Sequence, residues 1–316
     1  MPVFNIHHVT KYEYDRPVKE SVNEIRIYPV LNNEQEVLYH QVNVTSNPEI
    51  LEINDYWNNR TGMFNLISPH KELIIESKLI VRTLPPVTSL QNNHGSFKDL
   101  HAEVSNSLIL LELCCIEEPF LSAEIRAIAE EIKKPDQSVF DFVQACSQYI
   151  FEKFRYIKGI TSIQTTLEEI LKLRAGVCQD FAHIMLEILR SMQIPCRYIS
   201  GYICPNKDGM RGEGATHAWV EAWIPGYGWA GIDPTNNIWI TGNHVKLAIG
   251  RNFNDCSPVK GTFKGPAKQS LSVYVSIGYE DGHKFEDITK VKMEKLSEDD
   301  INPDILATLA GQQQQQ

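Results

Sequence analysis

A thiol, an imidazole and a carboxylate stand in three short words of this chain. They are GVCQDFAHIMLEIL from Gly176 to Leu189, ATHAWVEAW from Ala215 to Trp223, and WAGIDPTNN from Trp229 to Asn237. Cys178 opens a stretch with helical periodicity, His217 begins an extended one, and Asp233 ends another. A thiol at a helix start meets unpaired backbone N–H groups and the positive end of the helix dipole, which both favour a thiolate. An imidazole beside it can take a proton and return it. A carboxylate on the far imidazole nitrogen fixes the tautomer and stabilises imidazolium. The chemistry expected of such a set is attack on a carbonyl carbon through a thioester intermediate.

Each residue also has a plainer reading. A cysteine in an apolar helix is commonly a packing residue. A histidine at a strand start can serve a backbone carbonyl, and Asp-Pro-Thr-Asn is ordinary turn chemistry. The order Cys, His, Asp at three element edges favours the nucleophile reading over three coincidences. Of the ten histidines only His217 lies in an HAWVE word. Asp180 reads as an acid in the first helical turn, favourable to the dipole. His183 lies five positions after Cys178, so the helix turns it about 140° away from the thiol. That rotation disfavours a zinc site from Cys178, His183 and His217, and no metal ligand is assigned.

The elements that must hold these groups are legible. Phe181, Met185, Ile188 and Met192 recur at helical spacing, giving one buried stripe on a helix that Ile194-Pro195 ends. Arg197–Ile203, His217–Ile224 and Trp229–Ile232 read as strands, the last two joined by a turn at Tyr227-Gly228. Period two puts His217, Trp219, Glu221 and Trp223 on one face and Ala218, Val220, Ala222 and Ile224 on the other. Trp219, Trp223 and Trp229 are candidates for lining a substrate cleft, with core packing as the alternative. Upstream, Ser122, Ser138 and Thr165 or Thr166 are expected helix caps. Phe154 and Tyr156 mark a short extended piece.

Residues 1 to about 85 alternate between strand-like runs and turn words. The runs are Val3–Tyr14, Val22–Tyr28, Val37–Thr45, Ile50–Trp57, Thr61–Ser68 and Leu73–Thr83. Such a series predicts an antiparallel β-sandwich. Leu84 to Ser96, with its Pro85-Pro86 pair, reads as a linker. Leu271–Ile277 is a further strand, expected to pack back against an earlier sheet. Gln312–Gln316 reads as an unstructured tail. The fold class is therefore α+β. The expected units are a β-sandwich over 1–90, a catalytic core over 91–250 and a C-terminal extension over 251–316.

Composition excludes several classes. A 42% hydrophobic and 22% charged chain of 316 residues has the balance of a folded globular protein. A net charge of -10 leaves no basic surface for nucleic acid. No run of about 18 to 20 apolar residues exists to span a membrane, and no basic n-region precedes an apolar run, so the expected location is the cytoplasm. Seven cysteines without regular spacing argue against a disulfide framework, and the lack of a CxxC word against a tetrathiolate zinc site.

The words GVCQDFAH, IPCRYISGYI and ATHAWVEAW with GWAGIDPTNN resemble the core of bacterial transglutaminase-like proteins, relatives of papain-like cysteine proteases. The resemblance is strong over about Thr165 to Asn237. HHVTKYEYDRPVKESVNEIRIYP, from His7 to Pro29, more weakly resembles the β domain that precedes that core. The resemblance implies Cys178 as nucleophile, His217 as base and acid, and Asp233 as orienter, with the Cys-bearing helix packed on an antiparallel sheet. The Cys178 N–H is an expected oxyanion donor. Animal transglutaminases use an upstream tryptophan as the second donor. This chain has none between Trp57 and Trp219, leaving Gln164, Tyr156 or Trp219 as oxyanion or substrate candidates. Three functions follow: a thiol hydrolase of amide, peptide or isopeptide bonds, a protein-glutamine transglutaminase or other acyl transferase, or a non-catalytic binding module on that scaffold. The expected partner is a peptide or protein substrate, with neither nucleic acid nor membrane, and no cofactor is expected.

Overall fold

A computed structural model describes residues 1–84, 95–117, 121–162, 165–204, 210–212, 215–240, 242–279 and 291–294. The chain opens with six strands: β1 (Val3–Val18), β2 (Ser21–Ile25), β3 (Gln35–Val44), β4 (Leu51–Asn54), β5 (Arg60–Leu66) and β6 (His70–Thr83). All six fall on the strand-like runs of the sequence. Two of them are unusually long, and their pairing explains why. β1 and β6 run antiparallel with Ile6 opposite Leu79 and Tyr12 opposite Leu73. Phe4, Ile6, His8, Thr10 and Tyr12 share one face of β1, as Leu73, Ile75, Ser77, Leu79 and Val81 do on β6. One end of this continuous face packs Tyr12, Leu73 and Ile75 against Ile25, Phe64 and Leu66, which closes the sandwich. The other end packs Phe4, Ile6, Leu79 and Val81 against Tyr202, Val245 and Leu247 of the core. Between the two apolar ends lie buried His8, Thr10 and Ser77. His8 Nδ1 bonds with Tyr202 Oη at 2.8 Å, so the polar belt is hydrogen-bonded across the junction.

The core follows, with helices α1 (Phe97–Ser105), α2 (Leu108–Leu113), α3 (Ser122–Ile132) and α4 (Val139–Lys153). Next come β7 (Arg155–Tyr156), α5 (Leu167–Leu173), β8 (Ala175–Gly176) and α6 (Cys178–Ser191). The core strands are β9 (Cys196–Ile203), β10 (Ala215–Ile224), β11 (Gly228–Asp233), β12 (Ile238–Trp239) and β13 (His244–Gly250). They form one sheet in the order β12-β11-β10-β9-β13. After α7 (Phe253–Cys256), the chain returns through β14 (Val259–Phe263), β15 (Gln269–Tyr279) and β16 (Val291–Glu294). β15 pairs along β1, with Ile277 opposite Ile6, and is the expected returning strand. β14 pairs with β2. The N-terminal sheets, β16-β15-β1-β6-β3 and β14-β2-β5-β4, are thus built from both ends of the sequence. Among the described residues no helix is long and apolar enough to cross a membrane.

Local signals account for most helix starts. Ser138 accepts from the Asp141 N–H at 3.1 Å and caps α4. Thr166 and Glu169 form a reciprocal capping box on α5. α1 starts at Phe97, directly after the expected linker, and is capped by Ser96; residues 85–94 of that linker, like the glutamine tail, lie outside the described residues. Two expectations are corrected. α3 begins at Ser122 itself, with Leu121 in the cap position, so Ser122 is not the cap. And α6 has no single buried stripe, because Cys178, Asp180, Phe181, Ala182 and all of Ile184–Arg190 are buried. The helix is enclosed on several sides, packing on β10 while α3 and α4 lie against it. Its buried ions pair with each other, Arg190 Nη1 lying 3.0 Å from Glu187 Oε1.

The two faces of β10 divide as the period-two reading requires. Ala218, Val220, Ala222 and Ile224 join Phe181, Ala182 and Met185 in one core cluster. On the other face, buried Glu221 is held by Arg197 Nη2 at 2.6 Å and by Lys246 Nζ, which also reaches Glu34 Oε2 at 2.8 Å. Burial alone would raise the Glu221 carboxyl, but Lys246 and Arg197 overcome it and bring it down to about 2. The group's pKa is depressed, so its stabilising contribution is present above the ordinary glutamate range and is lost as pH falls towards 2. Removing one partner of a buried pair strands the other charge. Lys246→Met should therefore lower the urea-unfolding free energy by about 3 kcal/mol at pH 7, and a change under about 0.5 kcal/mol would contradict this account of the junction.

Candidate active site

Backbone pairing brings the site together. β7 and β8 form a short parallel pair with Tyr156 opposite Gly176, two residues before Cys178. This sets Tyr156 beside the start of α6. Asp180, in the first turn, turns back on the helix end. Its Oδ2 accepts from the Val177 N–H at 2.8 Å and from Thr161 Oγ1 at 2.6 Å. It is thus the helix-end acid expected from the sequence, although burial raises its pKa against those two hydrogen bonds. The return of Asp180 requires a bare backbone at Gly176, since a Cβ there would stand 2.6 Å from Asp180 Oδ2.

β10 and β11 pair antiparallel with Val220 opposite Ile232, which carries His217 and Asp233 to the same end of the sheet. His217 Nε2 donates to Asp233 Oδ2 at 2.8 Å, with both side chains fully buried. Among the described residues Nδ1 makes no hydrogen bond of ordinary geometry. The Cys178 thiol is within reach of His217, acting on it both by charge and as a hydrogen-bond partner. Contacts of this kind are often long in a resting site and tighten around substrate. Burial opposes a charge on His217, but Asp233 and Cys178 outweigh it and raise its pKa to about 10. Asp233 answers in the opposite sense: burial would raise its pKa, yet His217 and His244 hold it far below the usual carboxylate range. The structure therefore brings Cys178, His217 and Asp233 into one cluster whose favoured charge state has imidazolium facing carboxylate.

Asp233 has more partners than the sequence reading gave it. Its Oδ1 accepts from the Thr235 N–H at 2.8 Å, and its Oδ2 from Asn236 Nδ2 at 2.7 Å. The Asp-Pro-Thr-Asn turn and the carboxylate that bonds His217 are one structure. A second histidine, His244 on β13, places Nε2 at 3.4 Å from the same Oδ2. His244 was missed because β13 was not recognised, although His244, Lys246 and Ala248 alternate with Val245, Leu247 and Ile249. His217, Asp233 and His244 offer three ligand-type atoms within 4.8 Å of one another. Imidazole–carboxylate hydrogen bonding accounts for that convergence, and a cation there would have to break the His217–Asp233 bond.

The remaining candidates separate. Tyr156 joins the site: a Cβ on Gly212, whose φ is +76°, would stand 3.3 Å from Tyr156 Oη and 3.4 Å from His217 Nδ1. Burial and the nearby Cys178 and Asp233 raise the Tyr156 pKa strongly, so its hydroxyl remains a donor. Arg211 ties this segment to the turn, its N–H donating to Asn236 Oδ1 at 2.7 Å. Gln164 lies outside the described residues. Trp219 is buried beside His217, ring centroids 6.4 Å apart, rather than lining an open cleft. Trp223 and Trp229 line a groove of about 890 Å³ with Tyr56, Trp57 and Leu110, and no triad residue borders it. His183 accepts from the Phe253 N–H at 3.2 Å, consistent with its expected turn away from the thiol.

Comparisons with known proteins match this architecture in chain order. Residues 4–82 match the bacterial transglutaminase-like N-terminal region, and residues 126–234 match the transglutaminase-like superfamily core. The uncharacterized protein ML0607 of Mycobacterium leprae is 33% identical over 279 residues, covering 85% of this chain and 96% of that one. A protein-glutamine gamma-glutamyltransferase of Pseudomonas aeruginosa is 30% identical over 121 residues, 36% of this chain and 18% of that one. A solved structure of a candidate cysteine protease from Cytophaga hutchinsonii shares the fold, with TM-score 0.72 at 22% identity over 92% of this chain and 93% of that one. With the N-terminal region and the core both matched, and one relative aligned over almost its whole length, the chain belongs to the transglutaminase-like superfamily.

Proposed function

We propose that this protein is a thiol hydrolase that cleaves amide or isopeptide bonds in peptide or protein substrates. The observation that carries the reading is His217, bonded to Asp233 through Nε2 and in reach of the thiol at the first residue of α6. Cys178 sulfur attacks the carbonyl carbon, and the carbonyl oxygen takes up the negative charge. The Cys178 N–H and the Tyr156 hydroxyl are the proposed donors to that oxygen. His217 then gives its proton to the leaving amine, which leaves a thioester on Cys178. Water, losing a proton to His217, attacks the thioester; the acid departs, the sulfur leaves as thiolate and His217 is again imidazolium. Asp233 holds the ring through both steps. Acyl transfer to a primary amine is the second reading. It is favoured by the burial of Cys178 and His217, which limits water at the thioester, and by the glutamyltransferase likeness over the core.

The deciding experiment is a peptide-substrate screen of purified protein with and without a primary-amine acceptor, beside Cys178→Ala. The proposal expects free acid as the main product in both conditions and no turnover by the variant. An amine adduct as the main product would move the reading to acyl transfer. Equal traces of product from both proteins would leave a binding module.

The charge state of His217 gives a pH prediction. The proton delivered to the leaving group is held until pH rises through about 10. The alkaline fall of kcat/KM should therefore lie well above the ordinary imidazole range, near 10. Asp233→Asn removes the charge and the tautomer control; it should pull that fall down and reduce kcat by about 10²- to 10⁴-fold. A fall near pH 6.5 in the unaltered protein would contradict the imidazolium assignment.

Tyr156 is tested separately from the thiol. Losing one oxyanion donor costs about 10²- to 10³-fold in kcat. Tyr156→Phe should show a loss of that order while Cys178 alkylation proceeds at its normal rate. Unchanged kcat would remove Tyr156 from the oxyanion role.

A further inference from the structure

Asp233 Oδ2 receives three side-chain donors. They are His217 Nε2 at 2.8 Å, Asn236 Nδ2 at 2.7 Å and His244 Nε2 at 3.4 Å. Neither imidazole is exposed, and the His217 and His244 ring centroids lie 6.0 Å apart. His244 also meets the edge of Trp219, at 5.2 Å and 73°. Two imidazolium groups around one carboxylate would place like charges side by side in a dry interior. Only one of the two rings can carry the charge at neutral pH, and it is His217 that faces the thiol. His244 is then the neutral partner. Its Nε2 bears the hydrogen that reaches Asp233, and its Nδ1, buried and with no hydrogen-bond partner among the described residues, is the bare nitrogen. Burial lowers the His244 pKa even against the pull of Asp233, which agrees with this assignment.

Resting on the hydrolase reading above, we propose that His244 is a positioning residue that holds Asp233 Oδ2 against His217 and limits how tightly the carboxylate retains the imidazolium proton. An oxygen that accepts an additional hydrogen bond has less negative charge to offer its imidazolium partner. That sharing matters in one step only, the delivery of the proton to the leaving amine. An undiluted carboxylate would keep the imidazolium charged at higher pH and slow its release. Among the described residues, Cys178 from α6 acts on His217, and Tyr156 from β7 lies near it, itself within reach of Arg211 from the segment preceding β10 and of Asp180 on α6. Lys246, further along β13, is occupied by Glu34 and Glu221. The signal through Asp233 is therefore separable from these by changing His244 alone.

The test reads the thiol rather than turnover. Iodoacetate is an anion, so its reaction with a thiolate slows when the neighbouring imidazolium loses its proton. The rate of Cys178 carboxymethylation in the full chain is followed against pH by peptide mass spectrometry. His244→Phe keeps an aromatic ring without a donor and should move the alkaline fall upward by about 0.5 to 1 pH unit. His244→Gln keeps a side-chain N–H and should stay close to the unaltered protein. On a peptide substrate, His244→Phe should lower kcat severalfold with little change in KM. A fall that does not move in folded His244→Phe, or moves equally in both variants, overturns the proposal. A second measurement needs no variant: ¹⁵N NMR of histidine-labelled protein at pH 7 should show His244 neutral with its hydrogen on Nε2. A hydrogen on Nδ1 instead, or a charged His244, also overturns it. Failure of the hydrolase reading looks different, because it shows in the products of the peptide screen, as an amine adduct or as equal traces with Cys178→Ala, and not in a shift of the alkaline fall.

Discussion

A carboxylate with no exposure to water organises the core. Asp233 is buried completely, and an isolated charge in that position would be neutralised or would prevent folding. It is tolerated because four donors converge on it. β10 supplies His217, the turn after β11 supplies the Thr235 N–H and Asn236, and β13 supplies His244. The order β12-β11-β10-β9-β13 places His244 at the sheet edge beyond β9, so its ring must reach back towards Asp233. The same convergence leaves one face of His217 for the start of α6. The roles proposed for Cys178, His217 and Asp233 thus rest on how a buried charge is satisfied.

The N-terminal sheets are fastened to this arrangement rather than appended to it. One face of β1 and β6 closes the sandwich at one end and covers the core sheet at the other. β13, which carries His244, also carries Val245 and Leu247 into that contact and Lys246 into the pair with Glu221 and Glu34. One strand therefore serves both the site and the junction. The return of β14 and β15 to the N-terminal sheets adds a second attachment.

The residues that carry their signal locally were legible in the sequence. The six N-terminal strands have period-two apolar faces and turn words between them. Cys178, His217 and Asp233 sit in words whose element edges can be read without a partner, and Ser138 and Thr166 have cap chemistry in the next three residues. What was not legible depends on distant contacts. α2 is a six-residue apolar run, LILLEL, too short to show a period. The all-round burial of α6 is imposed by the packing of neighbours, and nothing in its own spacing reveals it. His244 follows the last recognised motif, in a strand whose importance comes from a carboxylate on β11. Tyr156 was read as part of a short extended piece and named as a substitute donor; its place beside the helix start comes from the β7–β8 pairing.

The central claim is that His217 is an imidazolium held between Asp233 and the Cys178 thiol, and the charge of that one ring tests it most directly. Histidine-selective ¹⁵N labelling, with His217 assigned by comparison with His217→Gln, reports protonation at each nitrogen. The account predicts that at pH 8 both nitrogens of His217 carry hydrogen, and that replacing Cys178 with serine lowers the pH at which the charge is lost, because the Cys178 sulfur no longer supports it. A His217 ring that is neutral at pH 8, or that titrates identically with and without the Cys178 sulfur, would contradict it.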